Sequence, residues 1–147
     1  MKLIIQVPCY NEAETLEIAL NDLPKHIDGI DEIEYLIIND GSVDNTVEVA
    51  KKWGVHYVVN FKQNKGLAKG FMAGLDACLR NGADIIVNTD ADNQYNGDDI
   101  EKLVRPILDE KADISKLRAE DGTYRKEAFL IQEKDGELLI AGTDRRG

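Results

Sequence analysis

Two carboxylates stand one residue apart directly after an apolar run, in the segment IIVNTDADNQY at residues 85–95. In an extended segment the side chains of residues i and i+2 point the same way, roughly 6–7 Å apart. Asp90, Asp92 and Gln94 can then line one side of the chain, with the small Ala91 between the acids. Such oxygen donors suit Mg²⁺ or Mn²⁺, which commonly take one or two carboxylates together with substrate phosphates. The alternative is that the two aspartates only cap turns or lie in a solvated loop.

A second polar group follows another apolar run, in NDGSVDNT at residues 39–46. The Asp40 carboxylate can accept hydrogen bonds from a nucleobase N–H or a ribose hydroxyl. Gly41 allows a sharp turn, and Ser42 or Asp44 can cap the helix that follows. Turn and cap chemistry explains Gly41 and Asp44 completely, but it does not require Asp40.

Two further segments complete the set of polar groups. In PCYNE (8–12), Tyr10 can pack beside a nucleobase and Glu12 can accept a hydrogen bond from it. A strand end followed by a helix N-cap at Asn11 explains the same segment without a ligand. In NKGLAKGFMAG (64–74), the glycines are four residues apart and fall on one helix face, with Lys65 beside the first of them. Neither a P-loop nor a G-x-G-x-x-G segment occurs, which argues against an ATPase and a dinucleotide oxidoreductase.

Hydrophobic periodicity predicts the elements that position these groups. Strands are expected over 2–7, 33–39, 55–60 and 83–89, and helices over 12–24, 44–53, 66–80 and 99–110. Strands that alternate with helices imply a parallel sheet with right-handed crossovers and helices on both faces. Ligands bind such sheets beyond the carboxyl ends of the strands. Because all the polar groups described above follow strands, we expect them to meet at that edge.

Composition narrows the possible functions. The 147 residues suit one domain, and 43% of them are hydrophobic, which is enough for a core. The net charge of -10 argues against nucleic acid as a partner, because no basic stripe is present to contact phosphates. Phosphate chemistry on so acidic a chain would require a divalent cation. Cys9 and Cys78 show no metal-ligand or redox spacing, so we interpret them as reduced cytosolic thiols.

The chain changes character near residue 114. Residues 115–127 are charged and weakly patterned, and the apolar runs AFLIQ and ELLIAG then flank Asp135-Gly136. This turn pair predicts a β-hairpin. We therefore divide the chain into a domain at 1–114 and an unassigned tail at 115–147 with a hairpin.

The segments VPCYNEAETL, IINDGSVDNT, NKGLAKG and NTDADNQY, in this order and spacing, resemble the family 2 glycosyltransferases of the GT-A fold. The chain is most similar to dolichol-phosphate mannosyltransferases and related polyprenyl-phosphate glycosyltransferases, over residues 1–114 and hence over their nucleotide-binding part. The resemblance implies a three-layer α/β/α fold with a mainly parallel sheet. It also implies a fold that is incomplete at its C-terminal side, because the acceptor-side elements of the family have no counterpart in residues 115–147.

The resemblance also implies roles for particular residues. Asp90 and Asp92 would form the D-x-D pair, with Gln94 as a further ligand of Mg²⁺ or Mn²⁺ and Asp92 as the catalytic residue. Asn39 departs from the family, which usually carries aspartate at this place. The residues implied to bind the nucleotide-sugar are Pro8, Tyr10, Glu12, Asn39, Asp40, Lys65, Gly66, Asp90 and Ala91.

The implied reaction is inverting transfer of a sugar from a GDP- or UDP-sugar to a polyprenyl phosphate. The implied location is cytoplasmic, peripheral at the membrane face where a lipid-phosphate acceptor would lie. A half sheet leaves an edge open, so we expect either that the tail hairpin covers it or that the chain forms a homo-oligomer through it. The alternative function is a truncated module that binds a nucleotide or nucleotide-sugar and transfers nothing. A nucleotidyltransferase ranks third, because PCYNEAE is not the early Gly-rich, basic loop of that class.

Overall fold

The computed structural model describes residues 1–92, 96–109, 129–134 and 137–141. Predictions for Gln94 and for residues 110–128 therefore lie outside the described residues. The elements in chain order are β1 (Lys2–Cys9), α1 (Leu16–Asp22), β2 (Glu32–Asp40), α2 (Thr46–Trp53), β3 (Tyr57–Phe61), α3 (Leu67–Arg80), β4 (Ile85–Asn88), α4 (Asp98–Leu108), β5 (Phe129–Lys134) and β6 (Glu137–Ala141).

The strands form one sheet in the order β3-β2-β1-β4-β5-β6. The pairs β1–β2, β1–β4 and β2–β3 are parallel, whereas β5 runs antiparallel to β4 and β6 antiparallel to β5. The predicted class, a mainly parallel sheet between layers of helices, is confirmed. The central strands β1 and β2 are almost continuously buried, as expected for a sheet covered on both sides.

The two faces of the sheet are covered unequally. One face packs against α1, α2 and α4, in a core that includes Ile5, Ile37 and Val87 from the strands. The other face packs against α3, in a smaller core that includes Ile4 and Ile38. Burial of each such side chain contributes about 1.5–3 kcal/mol. Packing on both faces therefore fixes the strands whose carboxyl ends carry the polar groups.

The start of α1 differs from the prediction. The helix begins at Leu16 and not at Glu12, so Asn11 is not its N-cap. Asn11 has a φ of 56°, and its side chain accepts a hydrogen bond from the Val43 N–H instead. Residues 12–15 form a turn in which the Thr15 N–H donates to the Glu12 carbonyl at 3.1 Å. The preference of Asn11 for local capping is overridden by a contact with a distant loop.

The strands β5 and β6 extend the sheet beyond β4. β5 pairs with β4 from Ile85 to Asn88, so the tail covers this edge of the sheet. Strands β5 and β6 of the tail are paired here, whereas the Asp135-Gly136 turn of the predicted hairpin lies outside the described residues. The division of the chain at residue 114 and a homo-oligomer both stay predictions. Within the described residues, no helix combines the length and the apolar composition that a membrane crossing requires.

Candidate functional site

The carboxyl ends of β1, β2, β3 and β4 lie along one edge of the sheet because these strands are parallel. In the register, Cys9 at the end of β1 pairs with Asn39 near the end of β2, and Asn39 pairs with Asn60 in β3. On the other side of β1, Gln6 pairs with Asn88, the last residue of β4. The segments that the sequence analysis singled out are therefore brought together by strand register.

The loop after β1 is joined to the loop after β2 through Asn11. The Asn11 N–H donates to Oγ of Ser42 at 2.9 Å, and the Asn11 Oδ1 accepts from the Val43 N–H at 2.9 Å. This reciprocal pair of hydrogen bonds satisfies polar groups on both loops. The positive φ of Asn11 is the backbone conformation in which it makes both bonds.

Asp44 and Thr46 add a second connection between the same loops. Asp44 accepts hydrogen bonds from the Ala13 N–H at 3.1 Å and from the Thr46 N–H at 3.0 Å, and the Thr46 hydroxyl also donates to it. The Thr46 Oγ1 in turn accepts from the Glu12 N–H at 2.9 Å. The hydrogen bond from the Thr46 hydroxyl has the largest effect on the pKa of Asp44, and it lowers this pKa below its ordinary value. The hydrogen bonds from the backbone N–H groups lower it further. The N-cap of α2 is Asn45 and not Asp44, but Asp44 accepts from the first N–H of the helix and also binds the chain before α1.

Asp40 holds the loop that precedes α3. Asp40 is 8% exposed, and the two oxygens of its carboxylate accept from the Lys65 N–H at 2.7 Å and the Gly66 N–H at 2.9 Å. Charge-assisted hydrogen bonds of this kind are about twice as strong as neutral ones. These hydrogen bonds explain structurally why an aspartate stands at position 40, which turn and cap chemistry alone did not explain. The contact of Asp40 with a nucleoside stays a prediction. Each carboxylate oxygen still has a second lone pair with which it could accept a hydrogen bond from a nucleoside.

Gly41 permits the close approach of the same loop. Its φ is +78°, and a Cβ atom at this position would lie 2.4 Å from the Gln63 carbonyl carbon and 2.5 Å from the Asn64 nitrogen. Both atoms belong to the backbone and cannot turn aside. The glycine is therefore required by both its conformation and its surroundings.

Asn39 bonds to neighbouring protein groups beneath the loop. It is 3% exposed, its Oδ1 accepts from the Ser42 N–H at 3.1 Å, and its Nδ2 donates to Oδ1 of Asn60 at 2.6 Å. Both ends of the amide are thus used to fix the turn after β2 and the end of β3. The structure gives Asn39 a positioning role, and its assignment to substrate binding stays a prediction.

An open cavity of about 300 Å³ lies between these loops and the start of α3. This volume is at the small end of the range for ligand sites. Tyr10, at 48% exposure, presents its ring at this cavity. Pro8, Tyr10, Glu12, Asp40 and Gly66, five of the predicted nucleotide-binding residues, line it together. The other lining residues are Cys9, Ile38, Asn64, Leu67 and Gly70.

Lys65 faces a neighbouring surface. Its Nζ lies 4.8 Å from the centre of the Phe61 ring, and the residue lines a second cavity of about 330 Å³ at the end of β3. The backbone N–H of Lys65 belongs to the candidate site through Asp40, whereas its side chain lines the adjacent cavity. The predicted contact between Lys65 and substrate stays a prediction.

The acidic turn follows β4 at the same edge. Asp90 is half-buried, Asp92 is exposed, and Ala91 between them is 3% exposed and belongs to the core on the face of α1 and α4. Among the described residues, no group of three acidic, histidine or cysteine side chains is placed to hold a metal. Two carboxylates still fit Mg²⁺ or Mn²⁺, since these ions take remaining ligands from substrate phosphates and water. Gln94, the third predicted ligand, lies outside the described residues.

The sequence analysis missed two residues beneath the acidic turn. Gln6 is fully buried, and its Nε2 donates to Oδ1 of Asn88 at 3.0 Å. Gln6 interrupts the apolar run LIIQV and Asn88 ends the apolar run IIVN, and these two polar positions were the available signal. A buried amide without a partner costs free energy, so two such interruptions in neighbouring strands indicate a pair.

The two thiols show no sign of reactivity. Cys9 and Cys78 are both buried and not disulfide-bonded. Burial raises the pKa of Cys9 above its ordinary value and the pKa of Cys78 to about 12. A nucleophilic cysteine requires a lowered pKa, so neither thiol is suited to catalysis.

Comparison with known proteins identifies the family. Residues 4–128 match the family model described as glycosyl transferase family 2. The chain belongs to this family. A UDP-N-acetylglucosamine–dolichyl-phosphate N-acetylglucosaminyltransferase of Methanococcus voltae is 32% identical to this family 2 chain, over 71% of the chain and 46% of that protein. An undecaprenyl-phosphate mannosyltransferase of Micrococcus luteus is 29% identical, over 73% and 44% respectively. The chain spans about half the length of the curated relatives it matches.

Solved structures show the same fold. The glucosyl-3-phosphoglycerate synthase of Mycobacterium tuberculosis, in complex with Mn²⁺, UDP and phosphoglyceric acid, matches with a TM-score of 0.60 and 26% identity. That match covers 73% of this chain and 39% of the synthase chain. The mannosyltransferase PcManGT of Pyrobaculum calidifontis matches with a TM-score of 0.55 and 24% identity, over 70% and 31%. The fold of this family 2 chain is GT-A, as predicted.

Proposed function

We propose that this chain forms the donor-binding part of a glycosyltransferase that uses a GDP- or UDP-sugar. The observation that carries the proposal is the cavity at the carboxyl edge of the sheet. Five residues from three separate segments meet there, namely Pro8, Tyr10, Glu12, Asp40 and Gly66. All five belong to the residues that the sequence motifs predict to bind the nucleotide-sugar.

The cavity offers chemistry suited to a nucleoside. Tyr10 provides an aromatic face beside Pro8 on which a base can stack. Glu12 provides carboxylate oxygens that can accept from base N–H groups, and the Thr15 hydroxyl orients this carboxylate by donating to Oε2 at 3.0 Å. Asp40 can accept from a ribose hydroxyl while it holds the backbone of Lys65 and Gly66.

Asp90 and Asp92 would hold a divalent cation, with Gln94 as a further ligand. Such an ion neutralises the charge that develops on a departing nucleoside diphosphate. The chain carries a net charge of -10, so its own side chains supply little compensation for a diphosphate. The related synthase, which is 26% identical, has been solved with Mn²⁺ and UDP together, and this supports the metal. The choice between Mg²⁺ and Mn²⁺ is part of the test below.

The proposed acceptor is a polyprenyl phosphate. Two relatives are named for transfer to dolichyl phosphate and undecaprenyl phosphate, which supports this class. A phosphate oxygen attacks the anomeric carbon of the sugar, and the bond from that carbon to the diphosphate oxygen breaks, with inversion. A phosphate acceptor is already ionised near neutral pH and requires little help from a general base. The corresponding location is the cytoplasmic face of the membrane, where the chain would be peripheral.

A second candidate is a binding module that holds the nucleotide-sugar without transferring the sugar. This candidate is favoured for the 147-residue chain assayed alone, since the chain spans 46% of the N-acetylglucosaminyltransferase and 44% of the mannosyltransferase. Turnover separates the two candidates. Sugar transfer at about 1 per second or faster by this chain would establish the enzyme and exclude the passive module.

The decisive experiment is calorimetric titration of the chain with GDP and with UDP. Each titration is run with Mn²⁺, with Mg²⁺ and with a chelator, on the wild type and on Asp92→Ala. We expect the wild type to bind at least about tenfold more tightly with metal than with chelator, and we expect Asp92→Ala to lose this gain and to bind with the affinity measured in chelator. Asp76→Asn is the matched control. Asp76 lies in the C-terminal half of α3, away from the cavity at the start of that helix, and forms an exposed ion pair with Arg80. Absence of nucleotide binding by a folded wild type would refute the proposed function.

A further inference from the structure

Gln6 and Asn88 form a buried amide pair directly beneath the acidic turn. Gln6 is 0% exposed, Asn88 is 6% exposed, and their side chains are hydrogen-bonded across β1 and β4 at 3.0 Å. The Gln6 carbonyl also accepts from the Thr89 N–H at 3.1 Å. One residue of β1 therefore binds two successive residues, one through its side chain and one through its backbone. The next residue along the chain is Asp90.

The surroundings of Gln6 are shaped to receive its amide. A Cβ atom on Gly74 would lie 2.4 Å from the Gln6 Oε1, so α3 can pack here only because it carries glycine at this place. The Cys78 thiol of the same helix donates to that oxygen at 3.8 Å, a weak contact. The nitrogen of the Gln6 amide is therefore hydrogen-bonded to Asn88, and its oxygen lies in the space that Gly74 leaves open on α3.

Stability alone does not explain the amide pair. Burial of two amides has a desolvation cost that their mutual hydrogen bond only offsets, and two apolar side chains of similar size can replace such a pair with little loss. A hydrogen bond differs from an apolar contact in being directional. What the pair adds is therefore a defined orientation of Asn88 relative to β1.

The acidic turn is held from both faces of the sheet. Ala91 is anchored in the core on the face of α1 and α4, and Asn88 is anchored through Gln6 on the face of α3. These two anchors bracket Asp90 and immediately precede Asp92. With both anchors in place, the backbone that carries the two carboxylates has little freedom to rotate.

We propose that the Gln6–Asn88 pair positions Asp90 and Asp92 for a metal-bound diphosphate. The inference rests on the proposed function, since it assigns these aspartates to the metal. It makes Gln6 and Asn88 positioning residues, because neither lines the cavity proposed for the nucleoside. Partners that orient metal ligands typically contribute 10–100-fold to metal affinity.

The test compares the wild type with the double variant Gln6→Leu/Asn88→Leu. We measure the midpoint of urea denaturation and the UDP and GDP affinities with Mn²⁺ and with chelator. We expect the midpoint to stay near that of the wild type or rise, and the affinity with Mn²⁺ to fall about 10-fold or more. The affinity in chelator should not change, because the nucleoside cavity is not touched. A purely structural pair would not separate these two affinities.

Each other result overturns the inference. If the double variant binds with Mn²⁺ as tightly as the wild type, or if both affinities fall equally, the pair does not position the acidic turn. Gln6→Met, which keeps the length of the side chain, is the second variant, and it decides in the same way if the double variant does not fold. If wild-type binding shows no dependence on metal, the proposed metal site fails first and the inference fails with it.

Discussion

Replacement of Asp40 by asparagine tests how the loop before α3 is held. The wild-type carboxylate accepts one backbone hydrogen bond on each oxygen, from Lys65 and from Gly66. Asparagine retains one acceptor oxygen and presents an NH₂ group in place of the other. One backbone N–H would then face another donor and lose its partner, and the remaining hydrogen bond would lose its charge.

The expected magnitude follows from the burial of Asp40. At 8% exposure, water has little access to replace the lost acceptor. Loss of a hydrogen bond to a charged group costs about 1.5–3 kcal/mol, so the free energy of unfolding should fall by about that amount. A loop displaced at Lys65 and Gly66 also deforms the cavity that Gly66 lines. We therefore expect nucleotide affinity to fall as well, and a tenfold fall would correspond to about 1.4 kcal/mol of binding free energy.

Three measurements on Asp40→Asn check this reasoning: urea denaturation, calorimetric nucleotide binding, and amide hydrogen exchange at Lys65 and Gly66. We expect lower stability, weaker binding and faster exchange at both amides. Asp76→Asn, the surface control, should change stability by less than about 0.5 kcal/mol. If Asp40→Asn weakens binding but leaves stability and exchange as in the wild type, then Asp40 acts through the nucleotide alone. Our account of the loop would then be wrong.

Three further predictions concern the same fold. Gly41→Ala should lower the free energy of unfolding by about 2–5 kcal/mol, because strain at positive φ adds to a backbone clash. Gly54 is also at positive φ, but a Cβ atom there would have no other atom within 4 Å. Gly54→Ala should therefore lower the free energy of unfolding by the backbone strain alone, measured in the same urea denaturation. The pKa of Asp44 is lowered from 3.8, so the hydrogen bonds to its carboxylate stabilise the fold above that pH and are lost on acidification. In urea denaturation at a series of pH values, Asp44→Asn should therefore show a smaller fall in the free energy of unfolding below about pH 4 than the wild type. Thiol labelling of Cys9 and Cys78 at pH 8 should follow unfolding and not precede it, since both are buried with raised pKa values.

The sequence predicted the strands well because each is a short apolar run ended by polar residues. Burial on both faces of a parallel sheet requires such runs, so β1, β2 and β4 appear in the sequence as blocks. The start of α1 was predicted less well. Asn11 has the local chemistry of an N-cap, but its side chain binds Val43 in another loop. A local propensity cannot show which of two partners a side chain takes.

The meeting of the site residues was also predictable in part. Parallel strands place their carboxyl ends at one edge, so motifs that follow strands must meet there. The partners of Asp40 were not predictable, because the backbone N–H groups of Lys65 and Gly66 carry no sequence signal. Gln6 was overlooked for a different reason. A single polar residue in an apolar run reads as a small irregularity until its partner on the next strand is known.

Asn39 shows why neutral amides suit this edge of the sheet. An aspartate in place of Asn39 could not donate to Asn60 as the amide does. The chain repeats the device with Gln6 and Asn88 beneath the acidic turn. A net charge of -10 already opposes the approach of a diphosphate, and each buried carboxylate at this edge would add to that repulsion. Amide pairs fix the geometry of the loops by directional hydrogen bonds and add no charge to that of Asp40, the buried carboxylate that holds the loop before α3.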